Sequence, residues 1–166
     1  LKQLPVKELH ILREDTREWH NALPLPGKNF LNEISGNCLE IRVVFEITSH
    51  TGKLGIKVRV GEEQSTLIGY DCNTQQLFID RTHSGDGSFS TYFNQIHTAS
   101  MCPVNSKISM QIFLDHCSVE VFGNEGLVNL SDLIFPSFQS NRLDFFCENC
   151  TIVVSNLQIH RIKPAR

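Results

Sequence analysis

Between residues 39 and 47, Leu39, Ile41, Val43, Phe45 and Ile47 fall on one side of the chain and Glu40, Arg42 and Glu46 on the other. Only a strand, whose successive side chains point to opposite faces, turns this repeat into one apolar and one polar face. The pattern recurs at 53–60, with Leu54, Ile56, Val58 and Val60 against Lys53, Lys57 and Arg59. Ser49-His50-Thr51-Gly52 supplies turn chemistry between the two runs. Further runs at 64–70, 76–82, 108–114, 118–122, 127–135, 142–147 and 151–162 are separated by signals such as Asp71-Cys72-Asn73 and Gly123-Asn124-Glu125-Gly126. The spacing predicts an all-β fold, a two-sheet antiparallel β-sandwich of jelly-roll or concanavalin-like type with about ten strands.

Two segments leave this rhythm. Residues 5–14 read as a turn of helix opened by Pro5, or as an extended lead-in. Residues 83–106 are rich in Gly, Ser, Asn and Asp, and so long a loop in a compact domain is usually functional or a contact surface. The 166 residues suit one domain, large enough to hold a core without metals or disulfides. Fifteen Lys and Arg against eighteen Asp and Glu give a net charge of −3. The basic residues are scattered, which disfavours a nucleic-acid or anionic-membrane partner. No apolar run approaches the roughly 18 residues of a membrane helix. With no initiator Met and no signal-peptide pattern at Leu1-Lys2-Gln3-Leu4, the chain reads as a piece of something longer or as a mature product.

No residue set points clearly to chemistry. Of the six cysteines only Cys147 and Cys150 have the two-residue spacing of zinc or redox sites, and there is no second such pair and no βαβ setting. Glu148-Asn149 reads as a hairpin tip that sets Cys147 and Cys150 face to face. In an oxidising compartment six cysteines allow fifteen pairings, and the sequence does not choose among them. His10, His20, His50, His83, His97, His116 and His160 are dispersed, none with a second ligand at metal spacing on one strand. Ser84-Gly85 and Gly87-Ser88 do not form a nucleophile elbow. Asp80, Asp115, Glu120 and Asp144 are the carboxylates that a cleft could pair, but Asp80-Arg81 reads more simply as a structural ion pair. One Trp (Trp19) and two Tyr (Tyr70, Tyr92) argue against a broad sugar-stacking platform. Most of Phe45, Phe78, Phe113, Phe122, Phe135, Phe145 and Phe146 are expected in the core. The expected catalytic, cofactor and metal residues are therefore none.

Four strings occur in order: Pro5-Val6-Lys7-Glu8-Leu9, Gly69-Tyr70-Asp71, Leu77-Phe78-Ile79-Asp80-Arg81, and Ser118-Val119-Glu120-Val121-Phe122-Gly123-Asn124. Together they resemble the C-terminal β-sandwich domain of glycoside hydrolase family 32, the levanases, inulinases, invertases and sucrose-6-phosphate hydrolases. The resemblance runs from Pro5 to about Ile162. It departs locally: Asp115-His116-Cys117-Ser118 stands where the family often has Asp-Arg-Ser-Ser, and Glu148-Asn149-Cys150 where it often has Glu-Asn-Gly.

The resemblance implies a five-bladed propeller on the N-terminal side, carrying the catalytic carboxylates in Asn-Asp-Pro-Asn-Gly-like, Arg-Asp-Pro and Glu-Cys-Pro strings. None of these strings occurs here, so the two carboxylates about 5 Å apart that retaining hydrolysis needs are not inherited. The implied organisation is a linker at 1–14 and a sandwich at 15–166. The implied role is a non-catalytic domain of a β-fructosidase acting on sucrose or fructans such as levan and inulin. It would stabilise the propeller and shape substrate access or a contact between two copies. Such enzymes are often secreted. The rival readings are an autonomous fructan-binding module and, further off, a hydrolase with its acids on the sandwich itself.

Overall fold

The alternation seen in the sequence becomes two stacked antiparallel sheets in the computed structural model, which describes residues 1–24 and 30–163. Residues 25–29 and 164–166, within the expected 15–166 sandwich, lie outside the described residues. The strands are β1 (Arg13–Ala22), β2 (Leu39–Glu46), β3 (Lys53–Val60), β4 (Ser65–Asp71), β5 (Gln76–His83), β6 (Ile96–Ser100), β7 (Lys107–Leu114), β8 (Ser118–Gly123), β9 (Val128–Leu133), β10 (Arg142–Glu148) and β11 (Val153–Ile162). One sheet runs β1-β11-β2-β7-β8-β9 and the other β10-β3-β4-β5-β6. A 3₁₀ turn at Lys7–Leu12 precedes β1, the helical form of the lead-in. Among the described residues no helix is long and apolar enough to cross a membrane.

Register explains the layering. Ile159 pairs with Ile41, Ile41 with Ile112, Ile112 with Val121 and Val121 with Leu130, so one inward row crosses five strands. It meets Ile56, Val58, Ile68, Tyr70, Leu77 and Ile79, all fully buried, from the opposing sheet. Each such side chain removed from water contributes about 1.5–3 kcal/mol. Tyr70 is admitted because its hydroxyl donates to the Met101 carbonyl at 2.9 Å.

Several expectations need correction. β1 was not foreseen because it is an edge strand with one central residue, Trp19, turned toward the core. A bulge between Glu14 and Arg17 further breaks its period. The 83–106 segment is not loop throughout, since β6 pairs with β5. Glu148-Asn149 is not a hairpin tip. β10 belongs to the five-stranded sheet and β11 to the six-stranded one, so this turn crosses between sheets, with Asn149 taking the left-handed φ of 56° that glycine usually supplies. All six cysteines are free thiols.

The phenylalanines divide by face. Phe45 is interior, with Phe145 edge-on to it at 6.3 Å. Phe146, Gly55, Gly69 and Phe78 are successive cross-strand partners on the outer face of the five-stranded sheet. The two rings lie over the two glycines, 6.1 Å apart. A Cβ on Gly69 would sit 2.6 Å from the Leu54 carbonyl oxygen and 2.7 Å from the Phe146 ring.

Candidate interaction surfaces

The row adjacent to the inward isoleucines, His160, Glu40, Phe113 and Glu120, faces outward from the six-stranded sheet. Glu40 is nevertheless fully buried, because the chain entering β1 lies over it. Arg13 donates from Nε and Nη2 to its two carboxylate oxygens, each at 2.6 Å, and Gln111 donates at 2.8 Å. Burial pushes the Glu40 pKa up, but these hydrogen bonds and the Arg13 charge outweigh it and hold the carboxyl below its ordinary value. His160, hydrogen-bonded to the Thr16 hydroxyl at 2.8 Å, is shifted below its ordinary value by burial and by the Arg13 charge. Between the Lys7–Leu12 turn and the outer face of β7 and β8 runs a groove of about 690 Å³, walled by Val6, Leu9, Phe113 and Phe122.

Cys38, Asp115 and His116 stand at one end of that groove. Pairing of Leu39 with Leu114 sets Cys38, just before β2, beside the β7–β8 turn. Cys38 Sγ lies 3.2 Å from Asp115 Oδ1 and 3.3 Å from His116 Nδ1, and His116 Nδ1 lies 3.0 Å from Asp115 Oδ1. Thiol and carboxylate meet the same ring nitrogen. A nucleophile relay needs them on opposite nitrogens, so the trio is no catalytic triad. Behind it the buried Arg59 donates to the carbonyls of Ser140 (2.7 Å), His116 (2.9 Å), Ser137 (3.1 Å) and Asp115 (3.3 Å), fixing the turn's backbone.

The second surface lies where the edge strands β6 and β9 approach each other. Phe89, Phe93 and Phe135 cluster with ring centroids 4.8–5.6 Å apart. Arg81 lies 4.3 Å over the Phe93 ring and pairs with Asp132 at 3.5 Å, and His97 reaches the same carboxylate oxygen at 2.7 Å. Arg81 is thus tied to Asp132 across the sheets and not to Asp80, whose carboxylate instead accepts from the backbone and hydroxyl of Thr82. Residues on one strand point to opposite faces, so sequence neighbours make poor ion pairs. Phe93 is buried, but Phe89 is 63% and Tyr92 78% exposed, with Phe135, Leu133 and Ile96 also open to solvent. The long 83–106 segment therefore presents an aromatic shelf.

The four candidate carboxylates are not gathered into one cleft. Asp80 and Asp144 are on the five-stranded sheet; Asp115 and Glu120 line the groove on the other. The hollow at Asp80, shared with Asp71 and Glu148, is small, about 90 Å³. The Ser84 hydroxyl is buried against Thr66 at 2.6 Å. In the most distinctive string, Asn124 adopts φ 46° in the β8–β9 turn; its side chain accepts from the Ser109 N–H (3.0 Å) and donates to the Cys102 carbonyl (2.8 Å). That residue is structural. Sequence reasoning missed the trio, whose first two members are 77 positions apart, and the shelf, whose rings come from two separate loops.

The chain is 40% identical over 164 residues to a levanase of Bacillus subtilis, covering 97% of this chain and 24% of that protein. It is 35% identical over 170 residues to a levanase of Bacillus sp. strain L7, covering 98% and 18%. The crystal structure of exo-inulinase from Aspergillus awamori superposes with a TM-score of 0.85 at 27% identity, over 98% of this chain and 32% of that one. Fructan 1-exohydrolase IIa from Cichorium intybus shares the fold at 17% identity, with a TM-score of 0.81. The chain spans about a quarter or less of the length of these two levanases. The model of the C-terminal domain of glycosyl hydrolases family 32 matches residues 8–161, and with this fold and these relatives the chain belongs to that family.

Proposed function

We propose that this chain is the non-catalytic C-terminal sandwich of a β-fructosidase acting on sucrose or on fructans such as levan and inulin, and that it packs against and stabilises a catalytic propeller. The observation that carries this reading is the aromatic shelf of Phe89, Tyr92 and Phe135, left in solvent beside the edge strands β6 and β9. Exposed apolar rings next to open strand edges are what a partner domain covers. Gln3 donates its N–H to the Gly126 carbonyl at 3.0 Å and Lys2 pairs with Glu125, so residues 1–14, the proposed link, start at the β8–β9 turn, at the other end of β9 from Phe135. No catalytic residue is proposed in this chain. Substrate access would be shaped by the same packing, and a contact between two copies would use a surface that the propeller leaves open. Secretion is proposed by extension from relatives such as the extracellular exo-inulinase of Aspergillus awamori.

Titration of the isolated chain with levan, inulin, fructose and sucrose in a calorimeter, with released reducing sugar assayed in the same samples, tests this reading. Silence in both channels is expected. Saturable heat without hydrolysis would make the chain a fructan-binding module, and turnover would place catalytic acids on the sandwich.

A further inference from the structure

We propose that Cys38, Asp115 and His116 form a zinc site with three protein ligands and a fourth position open to the groove. The three donor atoms all lie within 4.8 Å of one another, and they form a triangle with edges of 3.0, 3.2 and 3.3 Å. Tetrahedral zinc with Zn–S near 2.3 Å and Zn–N and Zn–O near 2.0–2.1 Å needs edges of about 3.6 Å to sulfur and about 3.3 Å between nitrogen and oxygen. Each edge has to open by only a few tenths of an ångström.

The donor set selects the ion. Thiolate, imidazole and carboxylate together suit zinc and other borderline-soft metals; calcium and magnesium take oxygen ligands. The scaffold is firm, since Leu39 and Leu114 are partners in the β2–β7 ladder and the turn bearing Asp115 and His116 is clamped through its carbonyls by Arg59. Arg59 directs its donors to backbone oxygens and to none of the three ligand atoms. Asp115 Oδ1 also accepts the His116 backbone N–H at 2.7 Å, which orients the carboxylate and leaves it lone-pair capacity for a metal. His116 and Asp115 are exposed and Cys38 is half-buried, so an ion has a way in. The His116 ring stacks on Phe138 at 6.2 Å.

Binding is a proton exchange without redox change. The Cys38 thiol, pushed up to about 11 by burial and then by the hydrogen bond and charge of Asp115, loses its proton to solvent as the sulfur–zinc bond forms. Water from the groove completes the tetrahedron.

Cobalt(II) titrated into the reduced, chelator-treated chain reads the site directly. The expected result is one equivalent bound, with a thiolate-to-cobalt charge-transfer band that zinc(II) abolishes. Cys38→Ser should remove the band and His116→Ala should weaken cobalt binding at least tenfold, while the double variant Cys147→Ser, Cys150→Ser keeps it. His116 is exposed, so its variant reports on ligation even if Cys38→Ser fails to fold. No band, or a band that survives Cys38→Ser and His116→Ala, would overturn the proposal.

Discussion

Arg13 and Glu40 meet through two hydrogen bonds of 2.6 Å, binding the first residue of β1 to a carboxylate sealed under the entering chain. Removing one member of a buried pair leaves the other without its counter-charge, a loss of about 3 kcal/mol. Glu40→Gln should therefore lower the urea midpoint clearly at pH 7. The folded carboxyl titrates below its ordinary value. Its contribution is then complete above the unfolded pKa of about 4.3 and is lost as pH falls through the lower folded value. The gap between wild type and Glu40→Gln should shrink from pH 5 to pH 3; a gap constant with pH would contradict the assignment.

Arg59 is buried, adopts φ 53°, and addresses four carbonyl oxygens of two turns. Lysine keeps the charge but not the planar fork that reaches several acceptors at once. Arg59→Lys should cost about 2 kcal/mol, the scale of carbonyls left unsatisfied on burial, read as a lower denaturant midpoint with an unchanged m-value.

Gly69 lies under the Phe78 and Phe146 rings with no space for a methyl group. Gly69→Ala should destabilise the chain by about 1–3 kcal/mol, the range for overpacking. Adding Phe146→Ala should not restore stability, because the Leu54 carbonyl blocks the same Cβ. Thermal denaturation of the single and double variants checks both halves.

Nine of the eleven strands were legible because each buries one face, and burying one face leaves a period of two in the sequence. β1 and β6 were not: both are edge strands, and patterns such as the exposed and half-buried alternation of Ile96–Ser100 carry little apolar signal. The turn after Cys147 was legible as a turn, but its destination was not, since the sheet β11 joins is decided by pairing with β1 and β2. The Phe89, Tyr92 and Phe135 shelf and the Cys38, Asp115 and His116 trio depend on loops meeting in space. No local pattern encodes either.

The central claim is that this sandwich serves by packing its shelf against a catalytic domain. Replacing the segment of Bacillus subtilis levanase that aligns with this chain by the chain itself gives a chimera in which Phe89→Ser and Tyr92→Ser can be tested together. Both side chains are largely exposed in the isolated chain, where the pair should cost little beyond the ring contacts of Phe89 with Phe93 and Phe135, about 1 kcal/mol. Differential scanning calorimetry of chimera and isolated chain, each with and without the two substitutions, is the direct measurement. The expected result is a Tm loss in the chimera several times that in the isolated chain, with a matching fall in thermal half-life of levan hydrolysis. Equal shifts in both, with the half-life unchanged, would contradict it.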